Sequence, residues 1–239
     1  MIPKIIHQTW KSKDIPETQF RKKWRDSWRE YHPDWKFVFW TDQDIDNFVR
    51  EQYPGFYAFF NSYELSIEKV DAVRYLILKS YGGVYLDLDM ECFRSINSLV
   101  EKHDLIFQSR EQGGITNAIF ASAKGHWVWN NIENTLMMSV NESKPLRSTG
   151  PLMLTHHLGR SDVLKKSSTF IGQPGTHFFP FSSANAHKYL NHGGNDFDET
   201  TYAAHRFTAS WVNSKTFLQK ALEFSHRLIH RLIKMFHQG

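Results

Sequence analysis

The stretch YGGVYLDLDME, Tyr81–Glu91, runs a strongly apolar segment, Val84-Tyr85-Leu86, into two carboxylates one residue apart, Asp87 and Asp89. Like charges at that spacing repel, and residues of this apolar character are built for burial, so the pair is costly without positive charge between them. On an extended backbone side chains repeat every two residues, which puts both carboxylates on one side of a strand end. Two hard oxygen ligands side by side suit Mn²⁺ or Mg²⁺, cations that keep their other positions for water and for phosphate oxygens. The stretch therefore reads as a buried strand ending in a metal-bound diphosphate site.

Working backwards, residues 62–81 have helical periodicity that stops at Gly82-Gly83. Asp71 and Arg74 lie three apart and share a helix face, with Val70, Val73, Ile77 and Leu78 available to a core. On spacing alone the pair could be an exposed ion pair of little worth or part of a site. Further back, Lys4–Gln8 and the run WKFVFW (35–40) read as strands, and residues 17–31, with Phe20, Trp24 and Trp28 four apart, as a helix. Thr41 to Asp44 resembles the N-terminal cap of another helix. This alternation predicts an α/β sheet with helices on its faces and ligands beyond the carboxyl ends of its strands. Forward of the pair, residues 104–108 and 117–122 are candidate strands and 126–140 a helix. Residues 171–202 are rich in Gly, Pro, Ser, His and Asn and read as long loops. Glu91, Asp196 and Asp198 are expected to be solvated.

With 239 residues, 41% of them apolar and 15% aromatic, the chain can bury a substantial core. A net charge of +4 is too small an excess to indicate a nucleic-acid partner. The single cysteine, Cys92, reads as a packing residue, excludes an internal disulfide and fits a reducing compartment. The first residues, MIPKIIHQTW, contain no signal-like apolar segment, and no run of about 18 apolar residues follows. A cytoplasmic protein is expected from this.

Four segments together, IPKIIHQTW, DAVRYLILKSYGGVYLDLD, TGP (Thr149–Pro151) and HRFTASW (His205–Trp211), resemble the DXD-containing glycosyltransferases of family 32. The resemblance spans roughly Ile2 to Trp211; its long central motif is specific, and the two short ones gain meaning only beside it. It implies a GT-A fold, a mixed Rossmann-like sheet flanked by helices, with a nucleotide-sugar donor, a divalent cation and retention of anomeric configuration. By resemblance, Asp89 would ligate Mn²⁺ or Mg²⁺ directly, Asp87 would contact ribose or sugar hydroxyls and help hold the ion, and His205 could complete the shell. Asp71 and Arg74 would grip donor sugar hydroxyls, and Trp10 would stack on the nucleotide base. Asn117 would line the donor or acceptor pocket, and Gly150, Pro151, Ser210 and Trp211 would line the donor pocket or close over the diphosphate. The family commonly has Ser where this chain has Val70, which leaves position 70 without a sugar-contact role.

The chemistry expected is transfer of a hexose, from a UDP-sugar in preference to GDP-mannose, to a glycan or lipid-linked acceptor, with bacterial surface polysaccharide synthesis as the setting. No enzymic nucleophile stands out, so a front-face displacement is expected. Haloacid-dehalogenase-type phosphohydrolases also use Asp-x-Asp after an apolar strand, but place it near the chain start and follow it with Thr or Val; here Met90-Glu91 follows. A catalytically silent nucleotide-sugar-binding or membrane-adaptor protein of the same fold is the other alternative.

Residues 1–211 are expected to form the catalytic domain and 212–239 a basic amphipathic helix. On a helical wheel of residues 215–237, Phe217, Leu218, Leu222, Leu228, Leu232 and Phe236 fall on one half, and Lys220, Arg227, Arg231 and Lys234 on the other. Glu223 is the lone acid among many bases, the pattern of a helix lying on an anionic membrane surface, and packing against protein would give the same apolar stripe. Peripheral attachment to the cytosolic face of a membrane is the expectation.

Overall fold

The computed structural model describes residues 1–208 except 19, 112, 140–143, 160–167 and 190. Met1–Phe207 form one compact unit. The helix expected over 212–239 lies outside the described residues, as do Ser210 and Trp211.

The strands are β1 (Ile5–Thr9), β2 (Lys36–Trp40), β3 (Gly83–Leu86), β4 (Met90–Cys92), β5 (Leu105–Gln108), β6 (Ile119–Ser122), β7 (Thr169–Gly172) and β8 (Ala203–His205). The helices are α1 (Lys22–Tyr31), α2 (Asp42–Gln52), α3 (Pro54–Ser62), α4 (Ser66–Tyr81), α5 (Asn97–Lys102), α6 (Ile132–Ser139), α7 (Pro145–Ser148) and α8 (Pro151–Gly159). Six strands form one sheet in the order β2-β1-β3-β6-β5-β7, and β4 and β8 form a separate antiparallel ribbon. Parallel pairing joins β1 to β2 and β3, and β5 to β7, while β6 runs antiparallel to both β3 and β5. The carboxyl ends of β1, β2, β3, β5 and β7 therefore share one edge with the start of β6. Trp10, Asp87, Asn117, Arg110 and Pro174 all follow or precede strands at that edge, the one at which α/β sheets bind ligands.

Side chains alternate across the sheet with a period of two. Val84, Leu86, Ile106, Ile119 and Ala121 pack with Trp28, Trp35, Leu99 and Val100 on one face. Tyr85, Leu105, Phe107 and Phe120 pack with α2, α3, α4, α6 and α8 on the other. Both faces are covered, which is why the strands read as continuous apolar runs. α4 is buried at every position from Asp71 to Leu78.

The double glycine does more than stop α4. Gly82 and Gly83 have φ of 65° and 99°, in the left-handed region, where Cβ atoms clash with the backbone. A Cβ on Gly83 would lie 2.6 Å from the carbonyl oxygen of Ile5, and one on Gly82 2.5 Å from the Lys124 nitrogen. β3 can thus enter the sheet beside β1 only without side chains there. The buried His7 donates from Nε2 to the Gly82 carbonyl at 3.0 Å and accepts the Trp40 indole N–H at Nδ1, 3.2 Å, fixing the same corner. Burial pushes its pKa down to about 4, so the ring is neutral, as a shared donor-acceptor role requires.

The periodicity over 62–81 is interrupted: Tyr63 and Leu65 are extended, separating α3 from α4. The expected helix over 17–31 begins only at Lys22. Thr41 does cap α2, in a reciprocal capping box with Asp44. Cys92 is buried, as a packing residue should be, and burial pushes its thiol pKa up.

Candidate active site

The strand expected through Asp89 ends at Leu86. Asp87, Leu88 and Asp89 form a turn, closed by the Met90 N–H donating to the Asp87 carbonyl at 3.1 Å, before β4 begins. The two carboxylates converge because the chain turns, not because an extended backbone repeats every two residues. Met90 pairs with His205 across the β4–β8 ribbon, and the Arg206 N–H donates to the Asp89 carbonyl at 2.8 Å. This register brings the His205 Nε2 to 3.0 Å from Asp89 Oδ1. Asp87, Asp89 and His205 each offer one ligand atom, all within 4.8 Å of one another.

That donor set fits a divalent cation. Burial lowers the His205 pKa, yet Asp89, by charge and hydrogen bond, and Asp87 outweigh it and raise the pKa overall. Burial also raises the Asp87 pKa, with Arg74 opposing and Asp89 reinforcing the rise. The same carboxylates, Asp89 and Asp87, that raise the imidazole pKa favour a divalent cation at this spot, which the neutral imidazole nitrogen could ligate. Neighbouring ligands of an octahedral ion with bonds of about 2.1 Å stand about 3.0 Å apart, the spacing found between His205 and Asp89. Two carboxylates with an imidazole favour Mn²⁺ over Mg²⁺.

Beside this cluster, α4 contributes a second one. The Asp71–Arg74 pair is buried, 8% and 4% exposed in their side chains, which removes the reading of an exposed ion pair. Arg74 reaches Asp71 Oδ1 at 3.0 Å and Asp87 Oδ1 at 3.3 Å, donates to the Asn117 carbonyl at 2.6 Å, and lies 4.4 Å above the Tyr85 ring. Asn117 returns a side-chain N–H to Asp71 at 3.0 Å. One guanidinium thus links the α4 carboxylate to the first carboxylate of the turn. Burial pushes the Asp71 carboxyl up to about 6, with Arg74 opposing it and Asp87 reinforcing it. Asp71 must be ionised to pair with Arg74, so an activity that depends on this clasp should fall about tenfold in kcat/KM per pH unit below about 6. A profile flat from pH 5 to 7.5 would mean that this carboxyl ionises normally.

Gly150 is pressed against the same carboxylate: a Cβ there would lie 3.2 Å from Asp71 Oδ2 and 2.9 Å from the Pro145 oxygen. Pro151 opens α8, where its missing N–H costs nothing. Tyr75 donates to the Thr149 carbonyl at 2.8 Å, so the TGP segment is tied to α4. Trp10 is half-buried at the carboxyl end of β1, edge-on to Phe20 at 4.8 Å with the Lys11 ammonium 5.7 Å from its ring centre. It is not enclosed in the core.

Several members of this network are missing from the sequence reading. The Tyr85 hydroxyl donates to Asp87 at 3.2 Å and pairs with Thr9 at 2.9 Å. Their only signal is the alternation that turns Tyr85 away from Val84 and Leu86. Glu91, expected to be solvated, is buried and accepts from Arg206, whose Nε donates at 2.9 Å and whose Nη2 also reaches it. Asp196 and Asp198 are exposed as expected and bind loop backbone N–H groups.

Residues 19–106, which include α4 and the Asp87–Asp89 turn, match the family of the glycosyltransferase sugar-binding region containing the DXD motif. Over 162 residues the chain is 40% identical to inositol phosphoceramide mannosyltransferase 3 of Schizosaccharomyces pombe, covering 64% of this chain and 44% of that protein. It is 42% identical over 126 residues to a mannosyl phosphorylinositol ceramide synthase of Saccharomyces cerevisiae, covering 53% and 33%. The chain thus spans less than half the length of these two relatives. Among solved structures, the UDP-bound glycosyltransferase domain of the YGT toxin superposes with a TM-score of 0.54 at 10% identity, over 71% of this chain and 79% of that one. The PaToxG glycosyltransferase gives 0.51 at 18% identity, over 66% and 69%. The fold is the GT-A fold of these glycosyltransferases.

Proposed function

We propose, from the match of residues 19–106 to the DXD-containing glycosyltransferase sugar-binding family, that this chain transfers mannose from GDP-mannose, retaining configuration, to the headgroup of an inositol phosphosphingolipid. The observation that carries a transferase is the meeting of two clusters at one sheet edge: the Asp71–Arg74–Asn117 clasp and the Asp87–Asp89–His205 set. The first suits sugar hydroxyls and the second a diphosphate with its cation. Mannose and the lipid acceptor come from the names of the fungal relatives. They replace the UDP-sugar and bacterial polysaccharide expected from sequence.

In this reading Asp87, Asp89 and His205 would hold Mn²⁺, which when bound would supply positive charge opposite the departing diphosphate. Asp71 accepts donor hydroxyl protons, and Arg74 keeps Asp71 and Asp87 in fixed relation, so that the anomeric carbon faces the acceptor. The bond from that carbon to the phosphate oxygen breaks with its electron pair going to phosphate. The acceptor hydroxyl bonds on the same face, and its proton passes to the departing phosphate oxygen. The basic segment 215–237 would hold the chain at an anionic bilayer, where its acceptor resides.

The test is a panel of sugar nucleotides with Mn²⁺, scored for hydrolysis and for transfer to inositol phosphoceramide. GDP-mannose should be the strongest donor and transfer should outpace hydrolysis. Hydrolysis of a different sugar nucleotide alone would keep the transferase and discard the mannose; no response to any donor would favour a silent binding protein. Co-sedimentation with anionic vesicles, lost in a chain ending at Ser214, checks the membrane part.

A further inference from the structure

Across the Asp87–Asp89 turn from Trp10, on the β5–β7 side of the sheet edge, lies a cavity of about 170 Å³. Its walls include Ser109 and Arg110 after β5, Phe179 and Ser182 in the loop after β7, and His205 and Phe207 of the β8 end. An apolar cavity of about 150 Å³ holds one benzene, so this one has room for a single six-membered ring. Phe179 stacks on the His205 imidazole, centroids 5.2 Å apart and planes at 19°, and Phe207 lies 4.1 Å from it. His205 therefore forms the partition between cavity and cation site, showing Nε2 to Asp89.

Two features mark the cavity as built for a ligand. Phe207 has φ of 52°, a left-handed backbone that bulky side chains avoid, and strain of this kind collects at ligand clamps. Arg110 is half-buried, and no side chain or carbonyl among the described residues receives its guanidinium. Glu111 beside it also lines the cavity, is exposed and makes no ion pair with it. An unengaged planar fork of donors above a ring-sized, part-aromatic space is suited to a cyclic polyol carrying a phosphate.

We propose that this cavity is the acceptor subsite and that Arg110 grips the phosphate of an inositol phosphate headgroup. Phe179 and Phe207 meet the C–H face of the ring, Ser109 and Ser182 its hydroxyls, and one hydroxyl points past His205 toward the donor sugar. The assignment rests on the transferase reading above for its place in the reaction. It also explains how one sheet edge serves two substrates, with the donor nucleotide on the β1 side and the acceptor on the β5 side.

Calorimetric titration of the full chain with inositol 1-phosphate, myo-inositol and inorganic phosphate tests it, in the native sequence and in Arg110→Gln. Inositol 1-phosphate should bind at least about tenfold more tightly than either fragment, and Arg110→Gln should erase its advantage over myo-inositol. Binding of GDP with Mn²⁺, and hydrolysis of the donor, should be unchanged in that variant. Equal affinity for inositol 1-phosphate and inorganic phosphate would leave only a bare anion site and overturn the assignment. So would loss of GDP–Mn²⁺ binding in Arg110→Gln, which would put the arginine on the donor. Arg110-dependent binding of inositol 1-phosphate by a chain that hydrolyses no sugar nucleotide would support the subsite while removing the donor reading, so the two fail separately.

Discussion

Asp89→Asn should abolish Mn²⁺-dependent transfer, lowering kcat/KM by about 10³-fold or more, the scale of losing one group aimed at charge that develops in the transition state. The side chain keeps its shape and loses its charge, so packing around the turn is preserved. Two effects then act together. The pocket would lose one of the three groups proposed as ligands, and Asn is a poor substitute for a carboxylate toward a hard cation. His205 loses the partner that contributes most to raising its pKa, so the pull on positive charge weakens. Titration of Mn²⁺ followed by its electron paramagnetic resonance should show weaker binding, with circular dichroism and Tm close to the parent. Full activity with parental metal affinity would remove the cation scheme altogether. Weakened binding with full activity at saturating Mn²⁺ would restrict Asp89 to holding the metal.

Much of this site was legible because its chemistry conflicts with its surroundings. A pair of carboxylates after Val84-Tyr85-Leu86 is costly wherever the chain places it, so the conflict is visible without coordinates. The four-residue spacing of Trp24 and Trp28 and the capping box at Thr41 are local signals and survived as α1 and α2. What could not be read was partnership across the chain. Asp71 and Arg74 at three-residue spacing look the same on a wet or a dry face; burial on both sides of α4 decides between them. Glu91 follows two aspartates and looks like the third member of an acidic exposed turn, yet it is buried because Arg206, far along the chain, pairs with it. The turn at Asp87–Asp89 is hidden for the same reason: a ribbon partner that begins at Ala203 takes over where β3 ends.

Arg206→Ala should be the most destabilising substitution in this region, by about 3–5 kcal/mol. The side chain is fully buried, its guanidinium pairs with Glu91, donates to the His192 carbonyl at 2.8 Å and reaches the Tyr189 carbonyl, and it sits over the rings of Phe93 and Phe181. Among the described residues alanine would leave Glu91 with the exposed Lys23, 3.3 Å away, as its remaining charged partner, and would take from the His192 carbonyl the donor it has in an aromatic cluster, while the Tyr189 carbonyl keeps the His192 N–H. For a domain of this size the loss corresponds to a Tm lower by about 10 °C. The consequence for chemistry follows from the register: Glu91 sits within the ribbon, opposite Ala204, and Arg206 directly follows it, next to the Met90–His205 pair that aligns Asp89 with His205. Mn²⁺ affinity should therefore fall in Arg206→Ala at temperatures where the chain is still folded, although neither residue is a ligand. Glu91→Gln combined with Arg206→Met removes both charges and keeps volume, so it should recover a large part of the Tm. If Arg206→Ala melts within about 2 °C of the parent, below the shift that 1 kcal/mol gives at this size, the ion pair contributes nothing measurable, and the position of His205 must be fixed by the β4–β8 backbone pairing alone.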